Sequence, residues 1–514
     1  MVDAREYHER TNHTPERLRS SSHRMIEEIK PRPFKRYRDV SSEPLDTITP
    51  PHQPALATIA QARPMSVDTG SQGSVLDRTT VATCCYLAAG ITQETEYKGQ
   101  SVRFRAASCT GNLHHIDLYL IAGGIDGLTD GVYHFDPTAF QLDRLRRGDV
   151  RATVVDATGG HTPDAGLWLV ATSTWWRNAW KYQERTYRHA FWDGGTVLAN
   201  LLAAAHGLDL RAEIVAAYAD DAIADLIGVD PTEEAPIAAV SIGRGTTPDA
   251  SPDVDPIEPE TIPLSTDHID FPLIPEAWAQ STLADGSAAQ AWRNRCHEAG
   301  SLGLAGAGDG EQTALEPVDH ATASARPLFE TIQRRGSKRH FAPEGPTRRQ
   351  LGTVLDRATR GIPADWASSS TGLRYLDCYV LATSVRGLDD GTYHYHPEID
   401  EVEWLGPIDT ETKAELALGQ EWGGEAHVNV YLLADVDEIV GTLGNRGYRL
   451  AQLEAGITLG RLYLATAAHR ELGGTGLTFF DGAVRDHFAP RAKHQSPMTM
   501  FAMGRIDPEA GPRL

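Results

Sequence analysis

The chain repeats itself once, across a very long interval. Residues 115–137, HIDLYLIAGGIDGLTDGVYHFDP, correspond to YLDCYVLATSVRGLDDGTYHYHP at residues 375–397, an offset of 260 positions. RTYRHAFWDGGTVLANLLAAA at residues 185–205 corresponds to RGYRLAQLEAGITLGRLYLATA at residues 446–467, an offset of 261. Two blocks in the same order at nearly one spacing mean a duplicated domain, and the period is far too long for a solenoid. A length of 514 residues is itself more than one hydrophobic core sustains. The organisation expected is an N-terminal extension (1–75), a first copy (76–245), a linker (246–325) and a second copy (326–514).

Each copy reads as α+β. An alternating apolar strand (residues 116–122; 376–382) leads through a Gly-Asp turn to a second strand carrying Tyr133-His134-Phe135 or Tyr393-His394-Tyr395. Further strands, LWLVATS and VNVYLLAD, precede a long apolar helix, and IAAVSIGR and MTMFAMGR close the copies. Residues 244–276 hold seven prolines, which disfavours regular structure and predicts an extended linker or wrapping arm. Residues 299–317 are rich in Gly and Ala and read as a flexible loop, with a short helix expected between the two stretches.

Charge narrows the function. With 48 basic against 70 acidic residues the net charge is −22, which disfavours broad binding to nucleic acid or anionic membrane. No apolar run has the length of a membrane span, and the charged first 25 residues lack the core of a signal peptide. Five cysteines without a CxxC pair fit a reducing cytoplasm. His114-His115 and His394-x-His396 have no third ligand near them in sequence, so no metal site is expected.

The chemistry concentrates in a few motifs. Arg335, Ser337 and Arg339 alternate in RRGSKRHF, which on an extended chain sets two cations and a hydroxyl on one side, suited to a phosphate and a second anionic group. This Arg-x-Ser-x-Arg-x-Phe stretch resembles the opening motif of flavin-dependent nitroreductase-fold proteins. In the first copy, KYQERTYRHAFWDGGTVLANLL from Lys181 resembles the KYxxRxYR block of SagB-type dehydrogenases, the branch that oxidises peptide azolines to azoles with FMN. FRAASCTGNL, before the strand from Ile116, resembles the family's flavin-lining Pro-Ser-Ala-Gly segment, keeping Gly111 and Leu113, with Cys109 at the serine position. The resemblance covers about two-thirds of the chain and implies two nitroreductase-like copies packed as an intramolecular pseudo-dimer, with FMN between them.

The copies keep complementary parts. The second has the Arg-x-Ser-x-Arg start, a glycine loop (Gly473, Gly474, Gly476, Leu477) and Arg505; the first has Ala212 opposite Gly473. The first keeps Cys109, Thr110, Gly111 and Asn112 together with Lys181 and Tyr182, where the second has Thr442 and Leu443. One complete flavin site per chain is the expectation. By the resemblance, Arg335, Ser337 and Arg505 hold the phosphate and Arg339 faces the charge-accepting end of the ring. The glycines let backbone N–H groups approach. Tyr182 is the candidate base if Lys181 lies close enough to lower its pKa. Read from the residues alone, the pair also suits a plain helix end, and Trp175, Trp176 and Trp180 suit a core as well as a cleft wall. The implied function is FMN-dependent dehydrogenation of azolines in a ribosomal peptide, with a cyclodehydratase complex as a candidate partner and oxygen as acceptor. A nicotinamide-driven nitro or quinone reductase and a non-catalytic flavin-binding scaffold are the alternatives. The basic run at residues 30–38 is expected to lie as an arm on the acidic body.

Overall fold

Two seven-stranded antiparallel sheets with the same strand order account for the repeat. In the computed structural model, the described residues are 2–59, 76–97, 99–248, 250, 254–318, 326–367 and 372–510. The first sheet contains β1 (Ser41–Pro44), β4 (Ile116–Ala122), β5 (Gly131–Asp136), β6 (Gln141–Arg147), β7 (Leu167–Thr174), β8 (Ala212–Val215) and β9 (Glu234–Ile242). A separate hairpin joins β2 (Ile91–Tyr97) to β3 (Gln100–Arg105). The second sheet contains β10 (Gln312–Ala314), β11 (Asp377–Ala382), β12 (Gly391–His396), β13 (Glu401–Gly406), β14 (Val428–Ala434), β15 (Leu472–Leu477) and β16 (Ser496–Arg505). The orders are β1-β6-β5-β4-β7-β9-β8 and β10-β13-β12-β11-β14-β16-β15, the same path traced twice. The α+β tandem expectation therefore holds.

The copies meet along their two longest helices, Thr186–Gly207 and Asn445–Ala468. Every residue of the first is buried, which is the packing that an all-round apolar helix requires. Glycines set the closeness of the crossing. A Cβ on Gly195 would lie 2.3 Å from the carbonyl carbon of Gly456, and one on Gly460 would lie 2.6 Å from Cβ of Ala199. Gly456→Ala should therefore destabilise the chain by about 1–3 kcal/mol through overpacking, outweighing the helix-propensity gain of about 1 kcal/mol. Urea unfolding of the two proteins measures the difference.

The segments outside the repeat are tied down. The N-terminal helix Ala4–Arg10 buries Tyr7, whose hydroxyl donates to the Glu184 carbonyl at 2.6 Å. The basic run is an arm: Lys35 is bonded to Glu234 at 2.6 Å, Arg38 to Glu260 at 2.8 Å, and its backbone pairs with the proline-rich linker at Tyr37 and Thr261. The linker holds two helices rather than one, Leu273–Ala279 and Gly286–Ala299. The first begins inside the proline-rich stretch, where Pro275 is tolerated because first-turn N–H groups need no helical partner. The glycine-rich loop expected to be flexible is docked: Gly308 and Gly310 donate their N–H groups to Glu403 at 3.1 Å each. Among the described residues no helix is long and apolar enough to cross a membrane.

Candidate functional site

The loop from Ser108 to His115 joins the β2–β3 hairpin to β4, and one carboxylate holds it. Asp193, on the first long helix, accepts from the Thr110 N–H and hydroxyl at 2.8 Å each and from His115 Nε2 at 2.8 Å. The Cys109 thiol points to the same oxygen at 3.4 Å. Burial and the Asp193 charge push that thiol well above its ordinary range, so Cys109 stays protonated. Gly111 has φ of 63°, and Asn112, bonded to the Arg103 carbonyl, follows at 57°. A Cβ on Gly111 would sit 2.8 Å from the Tyr182 hydroxyl. Glycine at this position is thus what lets the phenol close on the loop.

Lys181 and Tyr182 end the helix Trp175–Tyr182, where Gln183 turns the chain at φ 52°. The helix-end reading of the pair is accurate as geometry. Tyr182 is half-buried, edge-on to His189 at 4.7 Å, and the Lys181 ammonium lies 5.2 Å from the centre of its ring. The expected electrostatics is reversed. Burial, then Asp193 and Cys109, push the Tyr182 hydroxyl up, and the cation opposing this is Arg339, not Lys181. Lys181 is exposed as a residue, yet its ammonium is held below the usual range by partial desolvation, then by Arg339 and Lys30. Arg339 comes from the second copy, so both copies contribute to this place.

The Arg-x-Ser-x-Arg segment lies along β15. Ser337 bridges to Gly474, and the Lys338 N–H donates to the Gly474 carbonyl at 3.0 Å. The predicted glycine loop is a strand, and its glycines have two separate tasks. A Cβ on Gly473 would lie 2.6 Å from Lys338 Cγ, and one on Gly474 would lie 2.6 Å from the Ala502 carbonyl oxygen, so both are needed for close packing. Gly476 is roomier; its N–H donates to the Tyr463 hydroxyl at 2.6 Å, and Leu477 ends the strand partly buried. Ala212 pairs with Ile242 as Gly474 pairs with Met503, one place off the expected match to Gly473. Arg335 crosses to the first copy, donating to the carbonyls of Ala106 and Arg105 at 3.0 Å each. Arg339 lies over the Trp422 ring at 5.5 Å, and its buried Nε has no hydrogen-bond partner among the described residues. Arg505 stands at the end of β16, 3.8 Å from Glu344.

The structure thus gathers residues 109–112, Lys181, Tyr182, Arg335 and Arg339 around one cross-copy junction, with Ser337 and the β15 glycines behind it. Asp193 is the residue that sequence reasoning missed. Its signal was present: a carboxylate at the same aligned place in both copies of an apolar helix, Asp193 and Glu454. Glu454 likewise accepts the N–H groups of Arg374 and Tyr375 at 2.9 Å, and burial pushes its carboxyl up to about 7.

The arginines of KYxxRxYR have a structural task. Arg185 and Arg188 grip Asp481 of the second copy at 3.1 and 2.8 Å, and both also donate to N-terminal residues, Arg185 to the Thr11 carbonyl at 2.6 Å and Arg188 to the Thr11 hydroxyl at 3.0 Å. The repeat reproduces this clamp in reverse: Arg446 and Arg449 hold Asp220 of the first copy at 2.5 and 2.7 Å. At the junction related by the repeat, linker residues intrude. Trp292 donates to the carbonyl of Leu443, the counterpart of Tyr182, at 2.9 Å, and Arg293 pairs with Asp365 at 3.3 Å. Asp365 also accepts the N–H groups of Ala216 and Ala217.

The two histidine pairs differ. His114 stays apart from His115, its Nε2 on the Arg103 carbonyl at 3.0 Å, while Cys109 and Asp193 gather at His115. His394 and His396 together have Glu403 beside them in space, a third group that is not near them in sequence.

Comparison with known proteins follows the fold. A nitroreductase-like protein of Anabaena variabilis superposes with a TM-score of 0.76 at 23% identity, over 98% of this chain and 99% of that one. The Escherichia coli microcin synthetase McbBCD complex aligns over 33% of this chain and 64% of its own, at 21% identity and a TM-score of 0.29. Comparison with the curated proteins finds no match. The nitroreductase family model matches residues 94–244 and 332–505, one stretch in each copy and more than half of the length. The chain belongs to the nitroreductase family.

Proposed function

We propose that this chain is an FMN-dependent dehydrogenase that oxidises azoline rings in a ribosomally made peptide to thiazoles or oxazoles, acting with a cyclodehydratase complex and oxygen as acceptor. The observation that carries this reading is Tyr182 set against Gly111, with Lys181 beside its ring and both within reach of the field of Arg339. FMN, when bound, supplies a two-electron acceptor. The residues fit it, because the buried Arg339 Nε is a donor still seeking an oxygen. Ser337, Arg505 and the remaining donor of Arg335 are the groups for its phosphate, and Thr110, Gly111, Gly476 and Leu477 are the groups that would border its ring.

Dehydrogenating an azoline removes a hydride and a proton from ring carbons, and the proton needs a base. Lys181 is shifted toward the neutral amine that can take it. Tyr182, kept a neutral phenol, donates a hydrogen bond to the ring heteroatom or peptide carbonyl and so orients the substrate.

The cofactor reading has a direct test. Linker residues at the repeat-related junction leave one site, so about one FMN should be released per chain on denaturation. Arg339→Ala should emerge folded and nearly colourless, whereas Arg36→Ala, in the arm, should stay yellow. Two FMN per chain, or a yellow Arg339 variant beside a colourless Arg36 variant, would remove the assignment.

A further inference from the structure

We propose that the second copy carries a zinc site formed by His394, His396 and Glu403, separate from the cross-copy junction. His394 and His396 lie two residues apart on β12, hence on one face, and Glu403 on β13 stands opposite His394 in the strand register. One donor atom from each lies within 4.8 Å of the others, and all three residues are buried. His396 Nε2 and Glu403 Oε2 are 3.2 Å apart. That is close to the edge of roughly 3.4 Å that a tetrahedral zinc with bonds of about 2.1 Å requires.

His394 supplies the independent observation. Its Nε2 donates to Asp377 at 3.0 Å, while its Nδ1 is buried and has no hydrogen-bond partner among the described residues. A carboxylate on one ring nitrogen fixes the tautomer, leaving a bare lone pair on the other, and this is the usual outer-shell arrangement of a metal-ligating histidine. A lone pair left bare in the interior costs free energy unless something accepts it.

The first copy shows what is missing. At positions 260 earlier it has Asp117, His134, Asp136 and Asp143. There Arg177 pairs with Asp117 at 2.9 Å, while the arm's Lys35 is taken by Glu234 at 2.6 Å, whose counterpart in the second copy is the neutral Gln495. In the second copy Arg491 pairs with Glu403 through Oε1, and among the described residues no lysine or arginine is paired with Asp377. A divalent cation on His394 would bring beside Asp377 the positive charge that Arg177 brings to Asp117 in the first copy. Two imidazoles and a carboxylate are a donor set that suits zinc, the redox-inert member of the ions such a set binds, and they leave one position for water. The consequence is local: Gly308 and Gly310 hang from Glu403 and Ala305 from Asp377, so the metal pins residues 303–310.

The full-length chain, stripped with a chelator, reloaded with zinc chloride and gel-filtered, should retain about one zinc per chain by elemental analysis. His396→Gln and Glu403→Gln should retain none, and Cys109→Ser should retain it fully. Limited proteolysis of the wild-type loop keeps the proposal open to refutation where those variants do not fold. Cleavage within residues 303–310 should slow about tenfold at zinc near ten times its Kd and recover with chelator. A wild-type chain without retained zinc, equal zinc in His396→Gln, zinc lost from Cys109→Ser, or unchanged cleavage would overturn it.

Discussion

Lys181→Ala should give a folded, yellow protein whose azoline oxidation is slower by roughly 10²–10⁴-fold, the range for a positioned base. The substitution removes a side chain at the end of the Trp175–Tyr182 helix, so little stability is at stake. Reduction of the same flavin by dithionite should be unchanged, since that step takes no proton from substrate carbon. The pH profile adds a sign. Lys181 is held below the usual ammonium value, so oxidation should rise with pH as its amine forms, and this limb should vanish in Lys181→Ala. Tyr182→Phe should raise KM more than it lowers kcat if the phenol orients the substrate, and a loss confined to kcat would return the base to Tyr182. Stopped-flow bleaching with an azoline peptide and with a nicotinamide separates the remaining reading. Full nicotinamide turnover in both variants, with no azoline oxidation in wild type, would mark the chain as a reductase.

The other large effect is on folding. Asp481→Asn leaves Arg185 and Arg188 buried without their counter-charge, a loss of about 3–5 kcal/mol for a broken buried pair. Asp220→Asn should cost a similar amount by removing the partner of Arg446 and Arg449. Acid should imitate the first substitution. The two arginines hold the Asp481 carboxyl down at about 2 against burial, below its ordinary 3.8. Its contribution is therefore fully present above about pH 4 and is lost as pH falls toward 2. Urea midpoints taken across that window should fall in the wild type and fall less in Asp481→Asn. Equal slopes would mean that the clamp does not titrate in this range.

These clamps mark where the sequence stops being informative. The sheets were legible because alternation along a strand is local, and the doubled order was legible because the repeat carries it. The convergence of residues 109–112, Lys181 and Arg339 was legible through complementary losses between copies. The task of Arg185 and Arg188 was not, because their partner Asp481 lies almost 300 residues away and no local pattern announces it. The docking of the glycine-rich loop was hidden for the same reason: its composition predicts freedom, and Glu403 removes it. Tyr182 misled in a different way. Nearness of a lysine in sequence suggested a lowered phenol, while the fold buries that phenol beside Asp193.

The glycine crossing of the long helices has a consequence for dilution. Subunits that meet only by diffusion separate once their concentration drops below their dissociation constant, and a site built between them disappears with the contact. Here a covalent chain joins the two halves, so each sees the other at an effective concentration in the millimolar range whatever the amount of protein present. The junction around Lys181 and Arg339 should therefore survive at nanomolar protein, and its melting temperature should not depend on how much protein is in the tube.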